Sequence, residues 1–120
     1  MAVILIVEDE VFIRQNAECL IEDMGHNTLL AGSLDEALAH LSASQRIDAL
    51  FVDIRLSELA FGGYEIANQA VKLRPELRVL YTSGSTLTDE IKDLFVEGGQ
   101  FIQKPYSPDE LEISFDQLFQ

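Results

Sequence analysis

Glu8 and Asp9, Asp53, Ser83, and Lys104 with Pro105 are the residues of this 120-residue chain whose types and spacing can do chemistry together. Each stands at or just after a short apolar run: Val3 to Val7 before the acidic pair, Ala49 to Val52 before Asp53, Val79 to Thr82 before Ser83, and Phe101 to Gln103 before Lys104. An ionised carboxylate at the end of a buried strand is costly unless cations or hydrogen bonds compensate it, so Asp53 calls for partners. Glu8, Asp9 and Asp53 offer the oxygen ligands that hard cations prefer, and a few carboxylates completed by waters suit Mg²⁺. With such a cation and the Lys104 ammonium stabilising the equatorial oxygens, in-line attack by Asp53 on a phosphoryl donor would give an aspartyl phosphate. The Ser83 hydroxyl could bond a phosphoryl oxygen and be drawn inward by it. Taken singly, each residue has an ordinary explanation. The acidic pair could favour a helix N-terminus, Lys104 could be a solvated lysine, and Ser83 could shape a loop or cap a helix. Their common placement after strand-like runs favours the joint reading.

That placement matters because strand-like and helix-like periodicities alternate along the chain, a pattern that predicts a parallel sheet with crossover helices. In such folds the side chains at the carboxyl ends of the strands converge on one crevice. After Asp9, residues Ile13, Ala17, Leu20, Ile21 and Met24 recur at helical spacing and Gly25 supplies a stop. Asn27 to Ala31 reads as a short strand, and Ser33 with Glu36 as a capping box opening a helix through Ala37, Leu38 and Leu41. Beyond Asp53, the segment from Arg55 to Gly63 has no period and reads as a loop. Tyr64, Ala67, Ala70, Val71 and Arg74 fit a helix closed by Pro75. A further helix opens at Thr86 or Thr88 and is ended by Gly98 and Gly99, and Gln100 to Gln103 forms the last strand. Ser107, Pro108 and Glu110 start a final helix with Leu111, Phe115, Leu118 and Phe119 on its inner face, running to the last residue. The expectation is five strands and five helices in a single domain over residues 1–120, without an output domain.

Composition narrows the partners. A formal charge of −13, from 21 acidic and 8 basic residues, repels polyphosphate backbones and anionic membrane surfaces, so neither nucleic acid nor membrane is expected as a partner. Part of that charge also serves a solvated, soluble surface. Cys19 is the only cysteine, which rules out an intrachain disulfide, and it reads as a small helix residue packed near the core. The first apolar run is short and has no basic flank, and no run approaches the roughly 18 residues that span a bilayer, so a soluble cytoplasmic protein is expected. His26 and His40 are isolated and read as surface or turn histidines.

The ordered set Glu8-Asp9, Asp53, Ser83 and Lys104-Pro105, over five βα units, closely resembles the receiver domain of two-component response regulators, and the resemblance covers essentially the whole chain. It implies an α/β, flavodoxin-like, doubly wound sheet of five parallel strands in the order 2-1-3-4-5, with three helices on one face and two on the other. It further implies that Asp53 is the phosphoacceptor and that Glu8, Asp9, Asp53 and the backbone carbonyl of Arg55 hold Mg²⁺, with Mn²⁺ as a substitute. Ser83 corresponds to the switch hydroxyl, Lys104 to the phosphate-binding lysine and Phe101 to a rotating aromatic, although a phenylalanine in a last strand is as readily a core residue. Arg55 and Ser85 lie where the family tunes the lifetime of its phosphate. The implied partners are a sensor histidine kinase or histidine phosphotransfer protein, a downstream protein on the face of the fourth helix, fifth strand and fifth helix, and in some cases a second copy. The wording Tyr81-Thr82-Ser83-Gly84 and Lys104-Pro105-Tyr106 is similar to receivers found alone or at the carboxyl ends of hybrid sensor kinases. One departure stands out: Ser57 occupies the place of a frequent proline and is followed by Glu58-Leu59-Ala60-Phe61, so this loop is expected to be longer or more mobile than usual.

Three other readings fit the residues less well. A Mg²⁺-dependent phosphohydrolase with an aspartate nucleophile usually carries a second Asp two residues on, where this chain has Arg55. A receiver-shaped module that never becomes phosphorylated sits poorly with chemically competent residues at all five site positions. A nucleotide-binding protein lacks a glycine-rich phosphate loop after the first strand.

Overall fold

The computed structural model describes residues 2–56 and 62–120. The segment from Ser57 to Phe61, on which the expectation of a longer or more mobile loop falls, lies outside the described residues. Five strands, β1 (Val3–Val7), β2 (Asn27–Ala31), β3 (Ala49–Asp53), β4 (Arg78–Ser83) and β5 (Gln100–Gln103), alternate with helices α1 (Val11–Asp23), α2 (Leu34–Ser42), α3 (Gly62–Leu73), α4 (Asp89–Lys92) and α5 (Pro108–Leu118). All strand pairings are parallel, in the order β2-β1-β3-β4-β5. The register aligns Val7 with Val52 and Asp53 with Thr82, so the carboxyl ends of β1, β3 and β4 finish together.

Every residue of β3 is buried, which follows from its position at the centre of a sheet covered on both faces. Alternate strand residues feed two cores. Leu5, Val7, Leu50, Val52, Val79 and Tyr81 pack against α2, α3 and the partly buried Ile91 and Phe95. Ile4, Ile6, Ala49, Phe51, Leu80 and Ile102 pack against α1 and α5. Three helices therefore lie on one face and two on the other.

The termini of the helices follow their sequence signals except at α2, α3 and α4, and α5 stops at Leu118 rather than at the last residue. Ser107 and Glu110 form a reciprocal capping box, at 3.1 and 3.0 Å. At α2, Ser33 Oγ accepts the Glu36 N–H at 3.2 Å, but the Glu36 carboxylate accepts the N–H of Gly32 at 2.7 Å, so only half of the box forms around Ser33. Gly62 and Gly63, expected in a loop, begin α3 instead. The Gly63 N–H donates to the Ile54 carbonyl at 2.9 Å, and a Cβ on Gly63 would lie 2.3 Å from the Asp53 carbonyl oxygen and 2.6 Å from Ile54 Cα. Only glycine lets the start of α3 press this closely on the end of β3. Arg74 closes α2, donating to the carbonyls of Leu41 and Ala43 at 3.1 and 2.6 Å.

Helix α4 is far shorter than expected, at four residues. Thr88 caps it through the Ile91 N–H, but beyond Lys92 the chain tightens into i→i−3 bonds from Leu94 to Ile91 and from Phe95 to Lys92. The Tyr81 hydroxyl then accepts the Val96 N–H at 3.0 Å, and Phe95 stacks on Tyr81 with ring centroids 4.1 Å apart. A strand side chain thus takes an amide that a longer helix would have bonded internally.

Cys19 is exposed rather than packed near the core, because α1 buries Ala17 and Ile21 and turns position 19 to solvent. The two histidines are half-buried rather than surface residues. His26 Nδ1 accepts the Ala2 N–H at 3.1 Å and the ring lies about 6 Å from those of Phe115 and Phe119, while His40 Nε2 is 2.9 Å from the Leu30 carbonyl. No described helix is long and apolar enough to cross a membrane.

Candidate functional site

The carboxyl ends of the strands open on a cavity of about 360 Å³ lined by Glu8, Asp9, Glu10, Asp53, Arg55, Ser83, Gly84, Ser85 and Lys104. Six residues singled out from the sequence, together with Ser85, thus meet in one place. They arrive there for local reasons. Glu8 and Asp9 continue β1 past its last ladder pair, Asp53 is the final residue of β3, Ser83 ends β4, and the Lys104 N–H donates to the Ser83 carbonyl at 2.9 Å. That last bond fixes where the lysine leaves β5.

Lys104 bridges the carboxylates. Its Nζ lies 2.6 Å from Glu8 Oε1 and 2.7 Å from Asp53 Oδ2, and the other oxygen of Asp53 accepts the Arg55 N–H at 3.1 Å. Glu8 is 4% exposed and Asp53 7%, so the two negative charges sit in a poorly hydrated setting. Burial, aided by the nearby Asp53, pushes the Glu8 carboxyl up to about 7 against the pull of Lys104. Burial opposes the Lys104 ammonium, but its hydrogen bonds to Asp53 and Glu8 prevail and hold it above the ordinary lysine value. The site thus holds a lysine that stays charged and one carboxyl poised near neutrality.

One carboxylate oxygen each from Glu8, Asp9 and Asp53 can be chosen so that all lie within 4.8 Å of one another. This donor set is purely oxygen and partly dehydrated, which fits a hard divalent cation such as Mg²⁺ rather than a soft one. Arg55 borders the same cavity and already gives its N–H to Asp53.

The Ser83 hydroxyl accepts the Ser85 N–H at 3.1 Å, a local turn bond that leaves its proton available to an incoming acceptor. Phe101 does not line the acidic cavity. It borders an adjoining hollow of about 200 Å³ with Ile54, Tyr64, Ser83, Ser85 and Ile91, and its ring centroid is 6.2 Å from that of Phe95. A larger groove, of about 1350 Å³, opens at the opposite end of the sheet, but Arg74 and Arg78 there already donate to main-chain carbonyls.

Glu10 and Gly84 in the cavity wall, and Gly63 and Thr82 behind it, escaped the sequence reading. Gly63 gives a signal, a glycine pair, but one that reads equally as a loop. Thr82 gives none: its Oγ1 is buried without a hydrogen-bond partner among the described residues, beside a small hollow shared with Glu8, Asp53, Lys104 and Tyr106.

Residues 4–116 match the family model described as the response regulator receiver domain. Among curated proteins, the chain is 32% identical over 111 residues to the nitrogen assimilation regulatory protein NtrX of Azorhizobium caulinodans, covering 92% of this chain and 24% of that protein. It is 30% identical over 113 residues to protein PilG of Pseudomonas aeruginosa, covering 90% of this chain and 80% of that one. Of the first curated relatives, NtrX is spanned over about a quarter of its length and the probable transcriptional regulators ycf27 of Porphyridium aerugineum and Guillardia theta over less than half. Among solved structures, a response regulator receiver protein from Sinorhizobium medicae superposes with a TM-score of 0.87 at 25% identity, covering 98% of this chain and 93% of that one.

Proposed function

Since the chain belongs to the response regulator receiver domain family, we propose that it accepts a phosphoryl group on Asp53 from a phosphohistidine of a sensor kinase or histidine phosphotransfer protein, in a Mg²⁺-dependent reaction in the cytoplasm. The observation that carries this reading is the Asp53 carboxylate, buried at the end of β3, held by Lys104 at 2.7 Å and within one oxygen cluster with Glu8 and Asp9.

In the proposed step an Asp53 carboxylate oxygen attacks phosphorus in line with the P–N bond of the donor. The O–P bond forms as the P–N bond breaks, the electron pair stays on the imidazole nitrogen, and solvent supplies its proton. Mg²⁺, held by Glu8, Asp9, Asp53 and the Arg55 carbonyl, would supply charge neutralisation for the phosphoryl oxygens. The chain's own residues do the rest. Burial deprives the Asp53 carboxylate of competing water, and Lys104, already in contact with Asp53, is placed to meet a phosphoryl oxygen as charge develops. Arg55 and Ser85 flank the entrance, where their side chains govern the approach of the water that hydrolyses the acyl phosphate.

The switch is the second part of the proposal. A phosphoryl oxygen draws the Ser83 hydroxyl inward and away from its turn role. Phe101 then moves into the hollow beside Ser83, which remodels the surface formed by α4, β5 and α5 for a downstream partner or a second copy of the chain. Replacement of Phe101 by Ala is expected to leave phosphorylation intact and to remove its effect on partner binding or dimerisation.

The test of the first part is intact mass after incubation with phosphoramidate, which carries the same P–N bond. Wild type should gain one phosphoryl mass, about 80 Da for the acyl phosphate expected of a carboxylate nucleophile, with Mg²⁺ and not with chelator. Asp53→Asn should gain nothing. Equal labelling of the two proteins would remove Asp53 from the reaction.

A further inference from the structure

We propose that Arg14 is a positioning residue for the acidic pair: from α1 it holds the main chain of Glu8 and thereby sets the direction in which Asp9 leaves β1. The proposal rests on the reading of Glu8 and Asp9 as ligands of a divalent cation.

Glu8 lies one residue beyond the last ladder pairs of β1, in which Val7 faces Ala31 and Val52. Its N–H still finds the Ala31 carbonyl, at 3.1 Å, but its own carbonyl has passed the end of the sheet. The Arg14 guanidinium supplies the donor there, with Nη1 at 2.8 Å from that oxygen. A charged donor makes this a stronger bond than a neutral ladder bond would be. The Glu8 carbonyl belongs to the same planar peptide unit as the N–H and Cα of Asp9. Fixing that oxygen therefore fixes the plane from which the Asp9 side chain departs.

The guanidinium is itself confined. Arg14 Nη1 and Glu36 Oε1 lie 2.8 and 3.2 Å from the point where a Cβ on Gly32 would stand, so the two groups crowd the same space over the turn between β2 and α2. The Glu36 carboxylate is anchored there by the Gly32 N–H, at 2.7 Å. Arg14 is also the only lysine or arginine before Arg46, in a stretch that contains Glu8, Asp9, Glu10, Glu18, Glu22, Asp23, Asp35 and Glu36. The one cation of that stretch is spent on a backbone oxygen beside the site.

Positioning and simple charge make opposite forecasts. Removing a cation near three carboxylates should tighten Mg²⁺ binding if only charge matters, and should weaken it if Arg14 orients the ligands. The experiment is the Mg²⁺ concentration giving half-saturation in an isothermal calorimetric titration, measured for wild type, Arg14→Ala and Arg14→Lys, with the melting temperature in chelator as the separate measure of structure. Arg14→Ala is expected to raise the midpoint about 10-fold, as loss of residues that orient metal ligands does elsewhere. Arg14→Lys, which keeps the charge but not the planar fork, is expected to fall between the two. Should the alanine variant not fold, the lysine variant carries the test, because a pure charge effect gives it the wild-type midpoint. An unchanged or lowered midpoint in Arg14→Ala, or a wild-type midpoint in Arg14→Lys, overturns the proposal alone. A wild type that does not respond to Mg²⁺ overturns the cation reading beneath it.

Discussion

Replacing Lys104 by Met should produce a loss of stability that grows with pH, and the sign follows from the two carboxylates it bridges. In the folded protein Glu8 titrates near 7, against an ordinary value of 4.5. Between those values the folded state binds more protons than the unfolded state, so this group's contribution to stability falls as pH rises and levels off above about 7. Lys104 acts to lower the folded value. Without it the value rises further, and the falling limb continues beyond 7 in the variant while the wild type is already level. Each unit is worth about 1.4 kcal/mol, so above pH 7 the difference between the proteins should widen by up to about 1.4 kcal/mol per pH unit until the variant's own Glu8 carboxyl has titrated. The lysine's own titration does not intrude. Its folded value lies above 10.5, so the stability it brings is complete below that pH and is lost only on passing the folded value. Urea unfolding in chelator at half-unit intervals from pH 6 to 9, well below that value, reads the effect directly. Parallel stability curves for the two proteins would refute the reasoning, since they would mean that Lys104 does not govern the ionisation of Glu8.

Gly63→Ala is expected to cost about 1–3 kcal/mol, because its Cβ would meet backbone atoms of Asp53 and Ile54 that cannot swing aside. Chemical denaturation measures it, and a cost below 0.5 kcal/mol, within the range of an ordinary surface change, would show that α3 does not press on the end of β3. Tyr81→Phe removes the acceptor of the Val96 N–H and should cost about 1 kcal/mol. Hydrogen exchange at the Val96 amide should accelerate more than exchange in β4, and equal protection in both proteins would contradict the role given to the hydroxyl.

The strands and their alternation with helices were legible because β1, β3, β4 and β5 are short apolar runs with a polar residue at or just past the end and each long helix carries a clear inner face, whereas the strand order came with the family resemblance. Asn27 to Ala31 and Gln100 to Gln103 match β2 and β5 to the residue. What the sequence hid are features in which one element spends its bonding on another. The end of α4 depends on the hydroxyl of Tyr81, fifteen positions before the amide it captures. Gly62 and Gly63 have the composition of a loop, yet Gly63 serves the contact between α3 and β3. Cys19 sits between the buried positions of α1 in sequence but on the other side of the helix in space. The acidic residues and Lys104 could be gathered from their strand-end positions alone. That Lys104 would bridge Glu8 and Asp53, and that Arg14 would take the Glu8 carbonyl, depended on side-chain reach.

The most direct test of phosphoryl transfer to Asp53 is borohydride reduction of the protein immediately after treatment with phosphoramidate and Mg²⁺, followed by peptide mass analysis. Hydride reduces an acyl phosphate to the alcohol and leaves free carboxylates untouched. Homoserine at position 53, and at none of the other acidic positions, is the expected result. Reduction at a different acidic residue, or a phosphoryl group that survives borohydride as a serine or histidine ester or amide, would contradict it.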